Sequence, residues 1–174
     1  MAADTLAVIL AAGAGTRLRP LTDNRPKCLL EVGGRALLDH QLDALATNGV
    51  RDVLVVTGFC AEQIVSHYGA RVRTLYDPEY ENTNNLHSLW TARREFAGRD
   101  LLCLHADVLF HPAILRPCLE AAHDVTAVLD RALVEETMKA RVQGEQVAGI
   151  GKNIPPREQF GTFLGIMRFR PTAT

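Results

Sequence analysis

Strand-type and helix-type hydrophobic patterns alternate along most of this chain. Short apolar or β-branched runs that predict strands occupy residues 6–10, 53–56, 72–76, 101–104 and 125–129. Apolar residues recur at helical spacing in residues 36–46, 61–67, 86–96 and 112–122. In the first of these segments, leucines at 37, 38, 42 and 45 share one helix face, and Asn48-Gly49 marks the end.

The last third of the chain has a different rhythm. Residues 137–142, 147–150 and 162–169 predict antiparallel strands, with Gly144 at a turn. The preceding alternation predicts an α/β fold, with a mostly parallel, Rossmann-like sheet covered by helices on both faces, giving three layers. Ligands of such sheets bind at the carboxyl ends of the strands. Because no linker or repeat interrupts the pattern, we expect residues 1–174 to form one domain.

Composition narrows the possible partners and the compartment. The 174 residues are 47% hydrophobic and carry a formal net charge of −1, which argues against a nucleic-acid partner bound through a broad basic face. No apolar run has the length of a membrane-spanning helix, so no membrane partner is expected. The four cysteines are scattered without a CxxC pair, which favours reduced thiols in a cytoplasmic protein.

The first predicted strand runs into a loop of small residues. Such residues let backbone N–H groups approach an anion closely, while Arg17 offers a planar fork and Lys27 a point charge to a polyphosphate. Leu18 stands where a dinucleotide-binding loop needs its third glycine, and no Gly-Lys-Ser/Thr of a Walker A loop follows. The plain alternative is an ordinary βα turn with exposed arginines. The predicted nucleotide-binding residues here are Leu10, Ala11, Ala12, Gly13, Ala14, Gly15, Thr16, Arg17 and Lys27.

Asp107 follows the strand at 101–104 and is the predicted metal ligand. A carboxylate at a strand tip, close to bound phosphates, suits Mg²⁺, because that ion takes hard oxygen ligands and keeps several waters. The alternative is a loop or helix-capping aspartate, which is common after strands. The loop of small residues at 12–16, here called the glycine loop, is expected at the same sheet edge. This position favours the interpretation of Asp107 as a metal ligand.

Two asparagines precede the predicted helix at 86–96. The amides of Asn84 and Asn85 can pair with a pyrimidine edge, because each offers a donor and an acceptor. They can equally cap the start of the helix, and the two roles are compatible.

The segment 8–20 together with Arg25-Pro26-Lys27 resembles the signature of nucleotidyltransferases that activate sugar phosphates and related phosphate monoesters. The pattern Asn84-Asn85-x-x-Ser88-Leu89 is similar to bacterial phosphocholine cytidylyltransferases and their relatives, as are segments 136–139, 150–152 and 161–166. The resemblance implies the fold of nucleotide-diphospho-sugar transferases. It also implies a cytosine pocket that includes Ser88, and a lysine, Lys152, that binds the acceptor's phosphate. An exposed lysine at a strand end is the plain alternative for Lys152.

The resemblance therefore implies a Mg²⁺-dependent transfer of CMP from CTP to a small phosphate monoester or phosphonate, such as choline phosphate, with Arg17, Lys27 and Asp107 as the catalytic residues. The rivals are a sugar-1-phosphate uridylyl-, thymidylyl- or guanylyltransferase and a nucleotide-binding module with little activity. Family members usually continue for some tens of residues, which bring a second acidic metal ligand. The chain is thus expected to lack the usual C-terminal portion, so that Asp107 works with phosphate oxygens and water or with Glu135 or Glu136.

Overall fold

The computed structural model describes residues 4–174 and centres on one eight-stranded sheet. The strands are β1 (Leu6–Ala11), β2 (Glu31–Val32), β3 (Arg35–Ala36), β4 (Asp52–Thr57), β5 (Arg73–Tyr76), β6 (Leu101–His105), β7 (Val125–Asp130), β8 (Lys139–Gln143), β9 (Gln146–Gly151) and β10 (Gly161–Phe169). The α-helices are α1 (Leu37–Thr47), α2 (Ala61–Tyr68), α3 (Asn85–Thr91), α4 (Arg93–Phe96) and α5 (Leu115–Glu120). Short 3₁₀ helices cover Thr16–Leu18, Lys27–Leu29, Pro112–Ile114, Pro156–Glu158 and Pro171–Ala173.

The sheet is parallel on one side and antiparallel on the other. Its order is β5-β4-β1-β6-β10-β8-β9, and β7 also pairs with β10, whereas β2 and β3 form a separate hairpin. Strands β5, β4, β1 and β6 are parallel, and the remaining pairings are antiparallel. Leu10 near the end of β1 lies opposite His105 at the end of β6. The loops that follow these two strands are therefore neighbours.

Alternate residues of β1 build two separate cores. Ala7 and Ile9 pack on the face covered by α1, α2 and α5, whereas Leu6 and Val8 pack on the face covered by α3 and α4. All four are fully buried, and each large aliphatic side chain buried in this way stabilises the fold by about 1.5–3 kcal/mol. The three-layer α/β prediction is confirmed.

The prediction of a single helix at 86–96 is wrong, because the structure has two helices there. The chain leaves helical geometry at Ala92, whose φ and ψ are −83° and 0°. The hydroxyl of Thr91 donates to the His87 carbonyl oxygen and the Arg93 guanidinium donates to the Trp90 carbonyl oxygen, so side chains compete for the carbonyls of this turn. The fully buried Ala92 occupies the break and faces the core.

Two other elements have bounds that differ from the predicted ones. The segment 112–122 begins as a 3₁₀ turn at Pro112, and its α-helical part ends at Glu120. The strand expected at 137–142 begins only at Lys139, because the chain turns before it. Glu136 has a left-handed φ of 56°, and the Thr137 hydroxyl donates to the Val134 carbonyl oxygen at 2.7 Å.

Two findings bear on the compartment and on the membrane. All four cysteines are free thiols, and burial raises the pKa of Cys28 and Cys103 to about 12. Across residues 4–174, none of the helices is both long and apolar enough to span a bilayer.

Candidate active site

The loop after β1 folds back onto Lys27. Gly15 has a left-handed φ of 61°, and the buried Thr22 hydroxyl donates to its carbonyl oxygen at 2.9 Å. A Cβ at Gly15 would lie 3.3 Å from Cβ of Lys27, so this glycine permits both the turn and the close approach. A Cβ at Gly13 would meet no heavy atom within 4 Å, so the backbone there borders open space.

The residues that follow β4 also hold this loop in place. The Phe59 N–H donates to the Ala12 carbonyl oxygen at 2.9 Å. A Cβ at Gly58 would lie only 2.7 Å from that oxygen, so the two backbones meet where side chains would not fit. The glycine loop therefore has a fixed path between two neighbouring strand ends.

Lys27 and Asp107 form an ion pair at the carboxyl edge of the parallel strands, although 80 positions separate them in the sequence. Lys27 begins a 3₁₀ turn, and Asp107 lies two residues beyond β6. Nζ of Lys27 donates to Oδ2 of Asp107, and the two side chains are 26% and 37% exposed. The predicted catalytic charges are thus paired with each other and remain accessible to a ligand.

A small cavity, here called the glycine-loop cavity, opens beside this ion pair and has a volume of about 180 Å³. It contains eight of the predicted site residues. Its lining residues are Leu10, Ala11, Gly13, Gly15, Arg17, Lys27, Cys28, Asn85, His105, Ala106 and Asp107. The predicted residues Ala12, Ala14, Thr16, Asn84 and Ser88 do not line it.

A second cavity of about 430 Å³, here called the Lys152 cavity, also borders the ion pair. It shares Arg17, Lys27, His105 and Asp107 with the glycine-loop cavity. Its remaining lining residues are Leu18, Val108, Val134, Glu136, Thr137, Met138, Lys152, Thr162, Phe163, Leu164 and Gly165. Lys152 is therefore brought to the predicted site, and so is Glu136.

Asn84 and Ser88 hold the start of α3. The Asn84 side-chain oxygen accepts from the Leu86 N–H at 3.0 Å, which is a helix cap. The buried Ser88 hydroxyl donates to Oδ2 of Asp77 at 2.8 Å, and the Glu79 N–H donates to the other Asp77 oxygen. The structure thus confirms the capping role of Asn84, and it uses the Ser88 hydroxyl beneath the helix.

His105 lines both cavities, and no sequence motif pointed to it. The Asn85 side-chain nitrogen donates to Nε2 of His105 at 3.3 Å, and the ring stands edge-on to Phe163 with 5.9 Å between centroids. Burial lowers the pKa of His105 below its usual value, and Lys27 acts in the same direction against Asp107. The lowered pKa favours the neutral ring, whose Nε2 can accept the hydrogen bond from the Asn85 amide.

The Asp107 carboxylate suits a metal ion that is also coordinated by the phosphates of a nucleotide. Asp107 gives the glycine-loop cavity one carboxylate, and Mg²⁺ in phosphoryl-transfer sites is commonly held by one or two carboxylates together with substrate phosphates and water. Within residues 4–174, no three His, Cys, Asp or Glu side chains gather into a cluster that could bind a metal unaided. The residues present therefore fit an ion coordinated jointly by Asp107 and phosphate oxygens.

Comparison with known proteins identifies the family. The sequence profile of the MobA-like NTP transferase domain matches residues 7–142. The chain belongs to this family. Except for Leu6, the matched segment contains the parallel half of the sheet, together with both loops of the ion pair and the Asn84-Asn85 turn.

Several similar proteins carry the names of nucleotide-transferring enzymes. A CMP-5′-(3-aminopropyl)phosphonate synthase of Streptomyces rubellomurinus is 35% identical over 162 residues, which cover 90% of this chain and 26% of that protein. A choline-phosphate cytidylyltransferase of Streptococcus pneumoniae is 39% identical over 95 residues, covering 53% and 41%. A UTP–glucose-1-phosphate uridylyltransferase of Haloferax volcanii is 37% identical over 108 residues, covering 60% and 44%. The chain thus spans about a quarter to under half of these relatives.

Solved structures confirm the fold. The inositol-1-phosphate CTP transferase from T. maritima superposes with a TM-score of 0.80 at 23% identity, over 98% of this chain and 72% of that one. The predicted nucleotide-diphospho-sugar transferase fold is therefore confirmed, and the chain is a member of a nucleotidyltransferase enzyme family.

Proposed function

We propose that this protein transfers CMP from CTP to a small phosphate monoester or phosphonate and releases pyrophosphate. One observation carries the proposal: two cavities meet at the Lys27–Asp107 ion pair, one bounded by the glycine loop and the other by Lys152. Such a pair of cavities suits two phosphorylated substrates whose reacting groups must meet. The cytidylyltransferases among the relatives support the same reaction class.

The residues at the junction have separate tasks in this reaction. An oxygen of the acceptor's phosphate or phosphonate forms a bond to the α-phosphorus of CTP, and the bond from that phosphorus to the bridging oxygen of pyrophosphate breaks. Arg17 and the glycine-loop backbone bind the triphosphate, and Lys27 offsets the charge that develops on the α-phosphate and the leaving group. Asp107 would hold Mg²⁺, which supplies Lewis-acid stabilisation to the phosphate oxygens.

Asn85 is the residue that we propose for base recognition. Its side-chain NH₂ group already donates to His105, which leaves its oxygen free to accept a hydrogen bond. The exocyclic amine of cytosine can donate to that oxygen, whereas uracil and thymine present a carbonyl at the same place. The neighbouring Asn84 is engaged at the helix cap, so the two amides have different roles in this proposal.

The Lys152 cavity is the proposed acceptor site. Lys152 would bind the acceptor's phosphate, as the family resemblance implies, and Met138 and Phe163 provide apolar surface. The carboxylate of Glu136 in the same cavity favours an acceptor with a cationic end. Choline phosphate is therefore our leading candidate, with aminoethylphosphonate next, and sugar or polyol phosphates after them. We further propose a cytoplasmic location, which the free thiols support.

A turnover screen tests the proposal directly. The protein is mixed with Mg²⁺ and CTP, UTP, dTTP or GTP, each against choline phosphate, aminoethylphosphonate, polyol phosphates and sugar 1-phosphates, and pyrophosphate release is measured. We expect CTP to exceed the other nucleotides by at least about tenfold in kcat/KM, because a wrong base leaves polar groups of the site unpaired. Asn85→Ala should reduce this preference, whereas Asn84→Ala should lower thermal stability and keep the preference.

Two outcomes favour the rivals. Equal or better use of UTP or dTTP with a sugar phosphate would replace the cytidylyl assignment by a sugar-nucleotide one. Tight CTP binding with no pyrophosphate release in the presence of any acceptor would instead indicate a nucleotide-binding module.

A further inference from the structure

We propose that Gln41 is a positioning residue for Asp107. This inference rests on the proposed function, since it assigns the glutamine a part in holding the metal-binding carboxylate. Gln41 lies on α1, outside both cavities, and no sequence motif marked it. Its side chain instead reaches the backbone on either side of Asp107.

The side-chain amide of Gln41 spans the loop that carries Asp107. Its nitrogen donates to the His105 carbonyl oxygen at 2.9 Å and to the Val108 carbonyl oxygen at 2.8 Å. Both protons of one NH₂ group are thereby used on the two residues that bracket Ala106 and Asp107. The residue is 1% exposed, so water does not compete for these bonds.

A second contact fastens the loop to the glycine-loop side. The Ala106 N–H donates to the Leu10 carbonyl oxygen at 3.2 Å. Asp107 is therefore held between α1 and the end of β1, and its carboxylate faces Lys27 from a fixed backbone.

Packing alone does not explain a glutamine at this place. Its helical neighbours toward the core, Leu38, Leu42 and Leu45, are buried leucines. The Gln41 side-chain oxygen is buried without a hydrogen-bond partner, which is unfavourable. The amide is therefore present for its two donors, and those donors serve the Asp107 loop.

The test compares three variants by Mg²⁺-dependent CTP binding. Gln41→Met keeps the length and volume of the side chain but removes both donors. Asp107→Asn weakens the carboxylate ligand itself, and Leu45→Ala, one turn further along α1, damages the same core without removing either hydrogen bond to the loop. For each protein, calorimetry gives CTP affinity over a range of Mg²⁺ concentrations and in EDTA, and a melting curve without ligand gives Tm.

We expect Gln41→Met to raise the Mg²⁺ concentration for half-maximal CTP affinity by about tenfold or more, as residues that orient metal ligands commonly do. Its affinity in EDTA should stay within about twofold of the wild type, since the nucleotide contacts are intact. Leu45→Ala should lower Tm at least as much and leave the Mg²⁺ requirement unchanged, so that destabilisation alone does not mimic the effect.

The failures are distinguishable. If Asp107→Asn shifts the Mg²⁺ requirement and Gln41→Met does not, Gln41 only packs and the inference is wrong. If neither variant shifts it, the metal role of Asp107 in the proposed function fails as well. Should Gln41→Met not fold, hydrogen exchange on the wild type decides. Protection of the 106–108 backbone as strong as that of β6 supports a loop held in place by Gln41, and exchange as fast as in the 143–145 turn refutes it.

Discussion

At the scale of single residues, the site consists of charges that satisfy each other until a ligand arrives. Lys27 and Asp107 neutralise one another at the junction of two cavities, and neither is needed for the core. Partly exposed ion pairs of this kind contribute only about 0–1 kcal/mol to stability. Their position is therefore better explained by binding than by folding.

We expect Lys27→Ala to lower kcat by about a hundredfold or more while Tm changes little, because the charge acts mainly in the transition state. Arg35→Ala is the matched control, since Arg35 pairs with Asp43 at 2.6 Å in an exposed bridge outside both cavities. Steady-state kinetics and melting curves on both variants check this. A folded Lys27→Ala enzyme with nearly wild-type kcat would exclude Lys27 from the mechanism.

At the scale of elements, β10 borders the Lys152 cavity and is irregular at one glycine. Gly165 has a left-handed φ of 71° within the register shift between Phe163 and Met167. A Cβ there would lie 2.7 Å from the His105 ring, so the strand packs directly on the residue that orients Asn85.

Gly165→Ala should therefore lower the free energy of unfolding by more than backbone strain alone would. A left-handed alanine costs about 1–2 kcal/mol. Gly144→Ala measures that cost separately, because Gly144 also has a left-handed φ, 61°, but its Cβ would meet nothing within 4 Å. In urea unfolding, Gly165→Ala should lose more free energy of unfolding than Gly144→Ala. The ratio of kcat/KM for CTP to that for UTP should also be lower in Gly165→Ala than in the wild type. Equal losses would mean that the contact with His105 is unimportant.

The elements also show where sequence patterns succeed. The strands at 6–10 and 101–104 were predicted from continuous apolar runs, which fit strands that are buried on both faces. The helix at 36–46 was predicted from the regular spacing of its buried leucines. The break at Ala92 was missed, since alanine suits a helix interior and the cause lies in side-chain bonds of Thr91 and Arg93. Gln41 and His105 were missed for a related reason. Their roles depend on which loop passes over them, and periodicity does not specify loop paths.

At the scale of the whole molecule, a buried ion pair and the candidate active site lie at opposite ends of β6. Arg168 on β10 is buried and pairs with Asp100 at 2.9 Å, just before β6 begins, while Asp107 follows the other end of β6. The sequence predicted that the glycine loop and Asp107 would share the carboxyl edge, and the β1–β6 pairing confirms it. The Lys27–Asp107 contact itself was not predicted, because it depends on how the loop 12–26 returns.

Arg168→Leu should lower the free energy of unfolding by about 3 kcal/mol, because it leaves the largely buried Asp100 carboxylate without its partner. CTP affinity of the folded protein should not change, given the distance along β6 between this pair and the cavities. Arg116→Ala, which breaks an exposed bridge to Glu120, should cost less than about 1 kcal/mol. Chemical denaturation and calorimetry measure both quantities, and a loss of CTP affinity in Arg168→Leu would contradict this separation.

The division of the site into two cavities has a consequence for how such an enzyme can change its chemistry. Apart from the shared residues at the ion pair, most of the Lys152 cavity comes from chain positions 134–165, and the glycine-loop cavity comes from positions 10–28, 85 and 105–107. Substitutions in the later segment that leave Phe163, Gly165 and their contacts with His105 unchanged can therefore remodel the Lys152 cavity while the glycine-loop cavity stays intact. Under the proposed function, new acceptors become accessible to selection, or to a protein engineer, by changing residues 134–138 and the chain around Lys152, without altering the residues proposed to bind the nucleotide.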